Sequence, residues 1–273
     1  MERNNPLISV VTVSYNAVSV IEQTIFSVIN QTYPNVEYII IDGGSTDGTV
    51  DIIKKYADKI TYWVSEPDKG IYDAMNKGIE LATGEWINFM NAGDSFYSFS
   101  ILELIFGQTI FSNDIIYGDT LFLAPNLEYV RKTLPLDTIS RCMPFGHQST
   151  FVKTLLMKEQ KFDVSFISSG DYNFFYQMYY ANKSFCHIKQ IIARYDNTKG
   201  ISVENYRVVL RENARIWGIE NSIQWKCKYW VIVCMRDLKR AIRRMIPTKI
   251  LFLRQRLIIR SKYQKLSLIH ISE

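Results

Sequence analysis

Four polar turns carry the side chains best suited to chemistry in this chain. Each follows a short apolar run, and they contain Asn16, Asp42, the segment Glu66–Asp68 and the segment Asn91–Asp94. Carboxylate and amide oxygens accept hydrogen bonds from hydroxyl and N–H groups, and carboxylates also bind divalent cations. In an open α/β sheet, such turns meet in one crevice at the carboxyl ends of the strands. We therefore expect these four turns to build a ligand-binding crevice.

The apolar runs before these turns are typical of strands in a parallel sheet. Residues 7–14 are rich in β-branched side chains without polar alternation, as expected for a strand covered on both faces. Ser19 and Glu22 have the spacing of a helix capping box, and a helical apolar stripe follows. Three further runs, separated by helical patterns, predict a parallel sheet with right-handed crossovers. They are residues 38–41, 60–64 and 86–90.

The pattern loosens after Ser95. Three short runs predict a mixed or antiparallel extension of the sheet, at residues 115–117, 120–123 and 129–133. An aromatic-rich helix is predicted at 172–180 and a last strand at 185–195. After Ser202 the chain is expected to be mainly helical, with an interruption at Pro247.

Composition restricts the class of protein. At 273 residues with 47% hydrophobic content, the chain is long enough for one sizeable α/β domain with an appendage. The four cysteines form no C-x-x-C pair and there are only three histidines, which argues against a zinc site and favours a reducing, cytoplasmic compartment. Residues 1–9 lack the pattern of a secretory signal, and no apolar run reaches the ~20 residues that span a bilayer.

Positive charge is concentrated near the C-terminus. Residues 225–260 contain eleven basic residues and one acidic residue, Asp237, so this segment carries +10 and the remainder of the chain −5. Trp225, Tyr229, Trp230 and other apolar residues are mixed with these cations, as in a helix that lies on an anionic membrane surface. The alternatives are a packed helix with a solvated basic face, or nucleic-acid binding, for which there is no recognition motif.

We divide the sequence into three parts. Residues 1–202 are predicted to form the α/β domain, and residues 203–266 a basic helical extension. Residues 267–273 (SLIHISE) resemble translated adapter or readthrough sequence, or else a natural frayed terminus, and they are left out of the fold prediction.

Three motifs together resemble glycosyltransferase family 2, which has the GT-A fold, a Rossmann-like and mostly parallel sheet flanked by helices. They are VVTVSYN at 10–16, IIIDGGSTDGT at 39–49, and the stretch from Asp68 through NKGIELATGEWINFMNAGD. Each motif is weak alone, but their order and spacing are specific. The resemblance covers roughly residues 6–200 and implies an inverting enzyme that transfers a sugar from a nucleotide diphosphate, with a UDP-sugar favoured.

The resemblance also implies a donor site at the strand ends. Asp42 matches the carboxylate that holds the nucleotide base, although it could merely cap a turn, and Thr12, Tyr15 and Asn16 belong to the neighbouring first strand. The segment Asp68–Lys69 and Asn76 match the stretch that approaches the donor. Lys69 could balance diphosphate charge or be an ordinary solvated loop residue.

The metal motif of the family departs from its usual form here. Asn91 and Gly93 stand where the family has Asp-x-Asp, which leaves Asp94 as the carboxylate for a divalent cation, Mg²⁺ or Mn²⁺. A hard cation can be held by one or two carboxylates together with phosphates and water, so Asp94 can suffice. The alternative is that N-A-G-D is an ordinary polar turn.

For the catalytic base, the family uses an aspartate before a helix, commonly after a glutamate. Asp171 fits this place, with Gly170 where the glutamate would be, and it is our predicted base. The alternative is that Asp171 is only the N-cap of the following helix. His147 is assigned to the site because it could bind the leaving diphosphate, ligate the metal or line the acceptor pocket; the alternative is a structural histidine whose hydrogen bonds are satisfied.

The predicted partners follow from this resemblance. They are a nucleotide-diphosphate sugar, a glycan or polyisoprenoid-linked acceptor and an anionic membrane surface, which would place the protein at the inner face of the cell membrane. A degenerate nucleotide-sugar-binding scaffold is an alternative, because Asn91 and Gly93 replace carboxylates. A nucleotidyltransferase is disfavoured, because residues 7–17 lack a Gly- and basic-rich triphosphate loop.

Overall fold

The computed structural model describes residues 5–124, 127–196 and 205–245. The predicted boundary at 202/203, the interruption at Pro247, the tail 267–273 and the cations beyond residue 245 lie outside these ranges. The chain divides into two compact units, residues 1–216 and 217–273.

The first unit begins with alternating strands and helices. Strand β1 (Ile8–Ser14), helix α1 (Ile21–Ile29), β2 (Val36–Asp42), α2 (Thr49–Lys55), β3 (Tyr62–Ser65), α3 (Ile71–Leu81) and β4 (Trp86–Phe89) follow one another. All seven residues of β1 are buried, as the uninterrupted β-branched run predicted. Strand β1 pairs in parallel with β2 and β4, and β2 pairs in parallel with β3. The predicted parallel half of the sheet is therefore confirmed.

The second half of the first unit extends this sheet. Its elements are β5 (Ser95–Phe96), α4 (Ile101–Phe106), β6 (Ile115–Ala124), β7 (Leu127–Arg131), β8 (Thr150–Lys153), α5 (Thr154–Glu159), α6 (Gly170–Tyr180), β9 (Phe185–Asp196) and α7 (Tyr206–Ile216). The sheet order is β3-β2-β1-β4-β8-β6-β9-β5, and β7 pairs with β6. Strand β8 is antiparallel to both β4 and β6, whereas β6 and β9 are parallel. This mixed sheet flanked by helices confirms the predicted α/β class.

Two local predictions need correction. The two runs at 115–117 and 120–123 form one strand, β6, whose pairing with β9 is irregular between Tyr117 and Thr120. The Ser19–Glu22 capping box does not form, because Glu22 instead accepts hydrogen bonds from Lys55 and Tyr56. Helix α7 lies in the first unit, which ends at Ile216.

Helix α7 is held to the loop before α6 by one buried carboxylate. Glu212 accepts the backbone N–H groups of Ile167, Ser168 and Ser169. These donors lie immediately before α6, so the contact fixes the entry into that helix. A carboxylate that accepts several backbone N–H groups is strongly held, because each bond is charge-assisted.

The second unit contains helix α8 (Ile223–Met245) in its described part. Tyr229 and Val233 are its buried apolar side chains, while many of its other apolar side chains are exposed. No helix among the described residues is both long and apolar enough to cross a bilayer.

Candidate active site

The carboxyl ends of β1 and β2 are joined through their loops. Asn16, just after β1, has a left-handed backbone with φ of 48°. Its N–H donates to Ser45 Oγ at 2.8 Å, and its side-chain Oδ1 accepts the Thr46 N–H at 3.0 Å. Asn16 therefore fixes the loop after β2 against the end of β1, as the convergence of the polar turns required.

Asp42 ends β2 and is fully buried. Its carboxylate accepts four hydrogen bonds, from the hydroxyls of Ser14, Ser45 and Ser65 and from the Ser45 N–H, at 2.6–2.8 Å. Burial alone would raise its pKa, but these hydrogen bonds together lower it, so the group is ionised at neutral pH. Four bonds fill the acceptor capacity of a carboxylate. The geometry thus gives Asp42 a structural role and argues against direct contact with a nucleotide base.

Tyr15 and Asp68 flank Gly43 at the mouth of the crevice. A Cβ atom at Gly43 would collide with the Asp68 carboxylate and touch the Tyr15 ring. The Tyr15 ring is 67% exposed. Asp68 Oδ1 accepts the Gly70 N–H at 2.8 Å, while Oδ2 is the oxygen that faces Gly43. An exposed ring beside a carboxylate can stack on a base and accept its N–H or a ribose hydroxyl.

Three other predicted donor residues take different places. Thr12 is fully buried in β1, where its hydroxyl donates to Met90 O at 2.7 Å. Asn76 uses both ends of its amide on the backbone of Phe162, at 2.9 and 3.0 Å. These two contacts are structural, so neither residue is retained in the proposed donor site. Lys69 is exposed at the start of α3.

The turn after β4 contains the residues at the positions of the predicted metal motif, Asn91–Asp94. The Asp94 N–H donates to Asn91 O at 2.9 Å. The backbone of Gly93 has a φ of 103°, a conformation that residues other than glycine rarely adopt. Thr24 of α1 braces the turn, because its hydroxyl accepts the Gly93 N–H and donates to Asp94 O. The absence of an aspartate at position 93 therefore has a conformational reason.

Asp94 is a buried carboxylate with an unusual pKa. Burial raises this pKa to about 7, the positive charge of His147 opposes the rise, and the negative charge of Asp196 adds to it. Asp196 ends β9, so the strand-end rule that selected the other turns would have identified it too, but the sequence analysis overlooked it. A cation near Asp94 would favour its ionised form.

His147 links the β4 turn to helix α6. Its Nδ1 lies 3.0 Å from Asp171 Oδ2, and its Nε2 lies 3.2 Å from Asn91 Nδ2. Burial would lower the pKa of His147, but the hydrogen bond to Asp171 and the charges of Asp171 and Asp94 raise it overall. Within the described residues, Asn91 Oδ1 is buried without a hydrogen-bond partner.

Asp171 lies in the first turn of α6. The residue before that helix is Ser169, so the alternative that Asp171 is its N-cap is wrong. Asp171 Oδ1 accepts the Tyr72 hydroxyl at 3.2 Å and the Tyr172 N–H at 2.8 Å. Burial would raise its pKa, but the hydrogen bond and charge of His147 and these donors lower it. Asp171 is therefore ionised at neutral pH.

Tyr72 explains a second departure from the family pattern. A Cβ atom at Gly170 would lie 2.8 Å from Tyr72 Cε2, so a side chain there would collide with the ring. The same ring carries the hydroxyl that donates to Asp171. Position 170 cannot hold a glutamate while Tyr72 occupies this place. Nothing in the sequence near Asp171 indicates this contact, because Tyr72 is far away along the chain.

Comparisons with known proteins identify the family of the chain. Residues 9–120 match the family model Glycosyl transferase family 2. A PGL/p-HBAD biosynthesis glycosyltransferase of Mycobacterium bovis is 31% identical over 54% of this chain, a region that spans only 59% of that relative. An uncharacterized glycosyltransferase of Mycobacterium tuberculosis is 32% identical over 62% of this chain and 67% of its own length.

A solved structure shows the same fold. The mannosyltransferase PcManGT from Pyrobaculum calidifontis, solved in complex with GDP-Man and Mn²⁺, superposes with a TM-score of 0.62. The superposition covers 93% of this chain and 80% of that protein, at 13% identity. By its motifs, its sequence relatives and its fold, the chain belongs to glycosyltransferase family 2.

Proposed function

We propose that this chain is an inverting glycosyltransferase that moves a sugar from a nucleotide diphosphate to a hydroxyl of a glycan or polyisoprenoid-linked acceptor. It acts at the inner face of the cell membrane in the synthesis of a surface polysaccharide. The observation that carries the proposal is the path of contacts from Asp171 through His147 to Asn91. This path joins a candidate base to the turn that holds Asp94.

The nucleoside of the donor is assigned to Tyr15 and Asp68. The exposed Tyr15 ring stacks on the base, and Asp68 Oδ2 accepts hydrogen bonds from the base or the ribose. Asp42 supports this region indirectly, because Ser14, Ser45 and Ser65 tie its carboxylate to three separate segments. Lys69, exposed nearby, supplies positive charge for the diphosphate.

A divalent cation, Mg²⁺ or Mn²⁺, is assigned to Asp94. Among the described residues, no group of three or more His, Cys, Asp or Glu side chains could enclose a metal. This donor set fits a cation held by one carboxylate together with the donor phosphates and water. The bound cation would neutralise charge on the departing diphosphate. The raised pKa of Asp94 agrees with a carboxylate whose negative charge the protein leaves uncompensated.

Asp171 is the proposed base. The acceptor hydroxyl oxygen attacks the anomeric carbon while its proton passes to the Asp171 carboxylate. The bond between the anomeric carbon and the diphosphate oxygen breaks on the opposite side, so the configuration inverts. Because the pKa of Asp171 is lowered by His147, the group is ionised and able to accept this proton at neutral pH.

His147 and Tyr72 orient the base. They bind opposite oxygens of Asp171, at 3.0 and 3.2 Å, which fixes the rotation of the carboxylate. The raised pKa of His147 favours its protonated, positively charged form more than in an isolated histidine. An oriented carboxylate lowers the barrier because it need not reorganise during the reaction.

A donor screen tests the proposal. UDP-, GDP- and dTDP-sugars are added to the full chain with Mn²⁺ or with EDTA, and both the melting temperature and the release of nucleoside diphosphate are measured. We expect one nucleotide class to raise the melting temperature in Mn²⁺ and to be hydrolysed slowly without acceptor. If no donor shifts the melting temperature or is consumed, the proposal is wrong.

Two variants separate a transferase from a binding scaffold. Asp171→Asn should keep the donor-induced shift in melting temperature but lose turnover. Asp58→Asn, at an exposed aspartate outside the site, is the matched control and should retain both. A wild-type chain that binds the donor but never turns it over, with or without a panel of acceptors, would instead indicate a scaffold.

A further inference from the structure

Helix α8 carries apolar side chains on two separate faces. Tyr229 and Val233 are only 7% and 2% exposed. Six other apolar side chains are between 47% and 79% exposed. These six are Ile223, Trp230, Val231, Met235, Leu238 and Ile242. Such a large number of exposed apolar groups on one helix requires an explanation, because soluble surfaces rarely expose contiguous apolar patches.

The six exposed residues form one continuous face. With 3.6 residues per turn, they fall within an arc of roughly 140° around the helix axis. Tyr229 and Val233 lie outside this arc, on the other side of the helix. We call the six residues the apolar face of α8. Tyr229 is buried and so does not contribute to this face, although it neighbours Trp230 in the sequence.

Cations border the apolar face. Lys228 and Lys239 lie along one edge, whereas the other edge carries Asp237 and, beyond it, Lys226; all three lysine side chains are exposed. The wider segment 225–260 has eleven basic residues against one acidic residue. Apolar side chains flanked by lysines are typical of helices that lie in the plane of a membrane interface.

We propose that the apolar face of α8 docks on an anionic lipid bilayer, with Trp230 and Leu238 inserted below the headgroups and the bordering lysines on the lipid phosphates. This inference rests on the proposed function, because it names the surface by which the enzyme reaches a lipid-linked acceptor. A second copy of the chain is a weaker occupant, because two segments of charge +10 repel each other while an anionic surface attracts both.

Vesicle flotation of the full chain tests the docking. We expect binding to vesicles of phosphatidylglycerol and phosphatidylcholine at low salt, at least ~10-fold weaker binding to phosphatidylcholine alone, and weakening in 0.5 M salt because ions screen the attraction. The double variant Trp230→Glu/Leu238→Glu should bind anionic vesicles at least ~10-fold more weakly, because it places charge in the inserted face.

The matched control is Ile110→Glu/Leu155→Glu. These two apolar residues are 81% and 76% exposed in the first unit, so the control adds the same charge away from α8. It should bind vesicles nearly as well as the wild type. Equal binding of both double variants, or no binding of the wild type at low salt, would overturn the proposal.

A local probe makes the result independent of added charge. Cys234 is exposed and falls on the same arc as the apolar face. An environment-sensitive dye on Cys234, with the other three cysteines changed to serine, should shift to the blue on anionic vesicles. The same dye on Cys142, in the first unit, should not. A blue shift that depends on protein concentration without vesicles would show a second copy as the occupant and overturn the proposal.

The outcome is separable from that of the proposed function. Donor hydrolysis needs no membrane, so it should be unchanged in Trp230→Glu/Leu238→Glu. Vesicle binding without any donor turnover would retain the docking surface but refute the transferase. Donor turnover without vesicle binding would support the transferase and refute the docking surface.

Discussion

Two buried carboxylates at the ends of neighbouring parts of the sheet have opposite environments. Asp42 at the end of β2 and Asp94 after β4 are 0% and 6% exposed. Three serines and a backbone N–H satisfy Asp42 and lower its pKa. Burial raises the pKa of Asp94 to about 7. The two groups are equally hidden from water but differ in how the protein compensates their charge.

This difference separates scaffold from site. A buried carboxylate with a full set of donors has no capacity left for a ligand, so it stabilises the fold. A buried carboxylate with a raised pKa has a free-energy deficit that an incoming cation can remove, and such groups occur preferentially at functional sites. Both residues were predicted from their position at a strand end. Only the number of hydrogen-bond donors around each carboxylate distinguishes their roles.

The largest expected effect is that of Asp94→Asn. We expect turnover to fall by about 10³-fold, because the cation and the departing diphosphate lose their anchoring carboxylate. The metal-dependent part of the donor-induced shift in melting temperature should disappear as well. Turnover comparable to the wild type, measured with the donor identified by the screen, would show that Asp94 is only a turn residue.

The pH dependence of stability should also originate at Asp94. Because its folded pKa is raised above 3.8, the folded state holds a proton that the unfolded state has lost between about pH 4 and 7. The free energy of unfolding should therefore fall as pH rises through this window, by roughly 4 kcal/mol at most. His147, whose pKa is also raised, adds a further loss above pH 6.5.

Chemical denaturation at several pH values checks this dependence. Asp94→Asn should lose most of the decline between pH 4 and 7 and be more stable than the wild type at pH 8. If the free energy of unfolding varies with pH in the same way for both proteins, Asp94 does not have a raised pKa. The proposed contrast between Asp94 and Asp42 would then be wrong.

Asp171→Asn is expected to have the next largest effect. Asp171 accepts three hydrogen bonds, against four for Asp42, so its carboxylate keeps the capacity to accept one more donor. We expect turnover to fall by about 10²-fold with an unchanged apparent donor affinity, because a base acts in the transition state. Steady-state kinetics at saturating donor measure this. A rise in the donor KM with normal kcat would assign Asp171 to binding.

Asp42→Asn should mainly lower stability, whereas Asp94→Asn should mainly lower turnover. We expect a loss of roughly 2 kcal/mol in the free energy of unfolding. The amide NH₂ of asparagine would replace an oxygen that now accepts hydrogen bonds, and two donors would then face each other. Turnover per folded molecule should change less than for Asp94→Asn. Ser65→Ala, which removes one of the four bonds, should cost about 1 kcal/mol and serves as the graded control. If the Asp42→Asn protein is stable but no longer binds the donor, Asp42 contacts the nucleotide base after all.

Local sequence pattern was sufficient for the parallel half of the fold. The apolar runs gave the positions of β1, β2 and β4, and the strand-end rule gave the region of the crevice. The role of Asp42 could not be predicted, because its serine donors come from β1, from the following loop and from β3. The capping box failed for a similar reason, since Lys55 and Tyr56 of a later segment bind Glu22.

The departures from the family motifs depend on contacts that a single sequence does not display. Gly170 is required by Tyr72, which approaches from another helix. Asn91 faces His147 from a distant loop. From the sequence alone, Asn91 and Gly93 were the reason to consider a degenerate scaffold. In the structure Asn91 lies against His147 and Gly93 has a backbone conformation that favours glycine, which argues against the scaffold alternative.

The turn from Asn91 to Asp94 limits how this enzyme could be engineered. A protein designer guided by consensus would restore Asp-x-Asp by changing Asn91 and Gly93 to aspartate. The first change would set a third negative charge against His147 beside Asp94 and Asp171, and the second would force a side chain into a backbone with φ of 103°. The consensus motif is therefore a poor template for improving this chain, since its glycine and asparagine are compatible with local geometry in a way that the average family sequence is not.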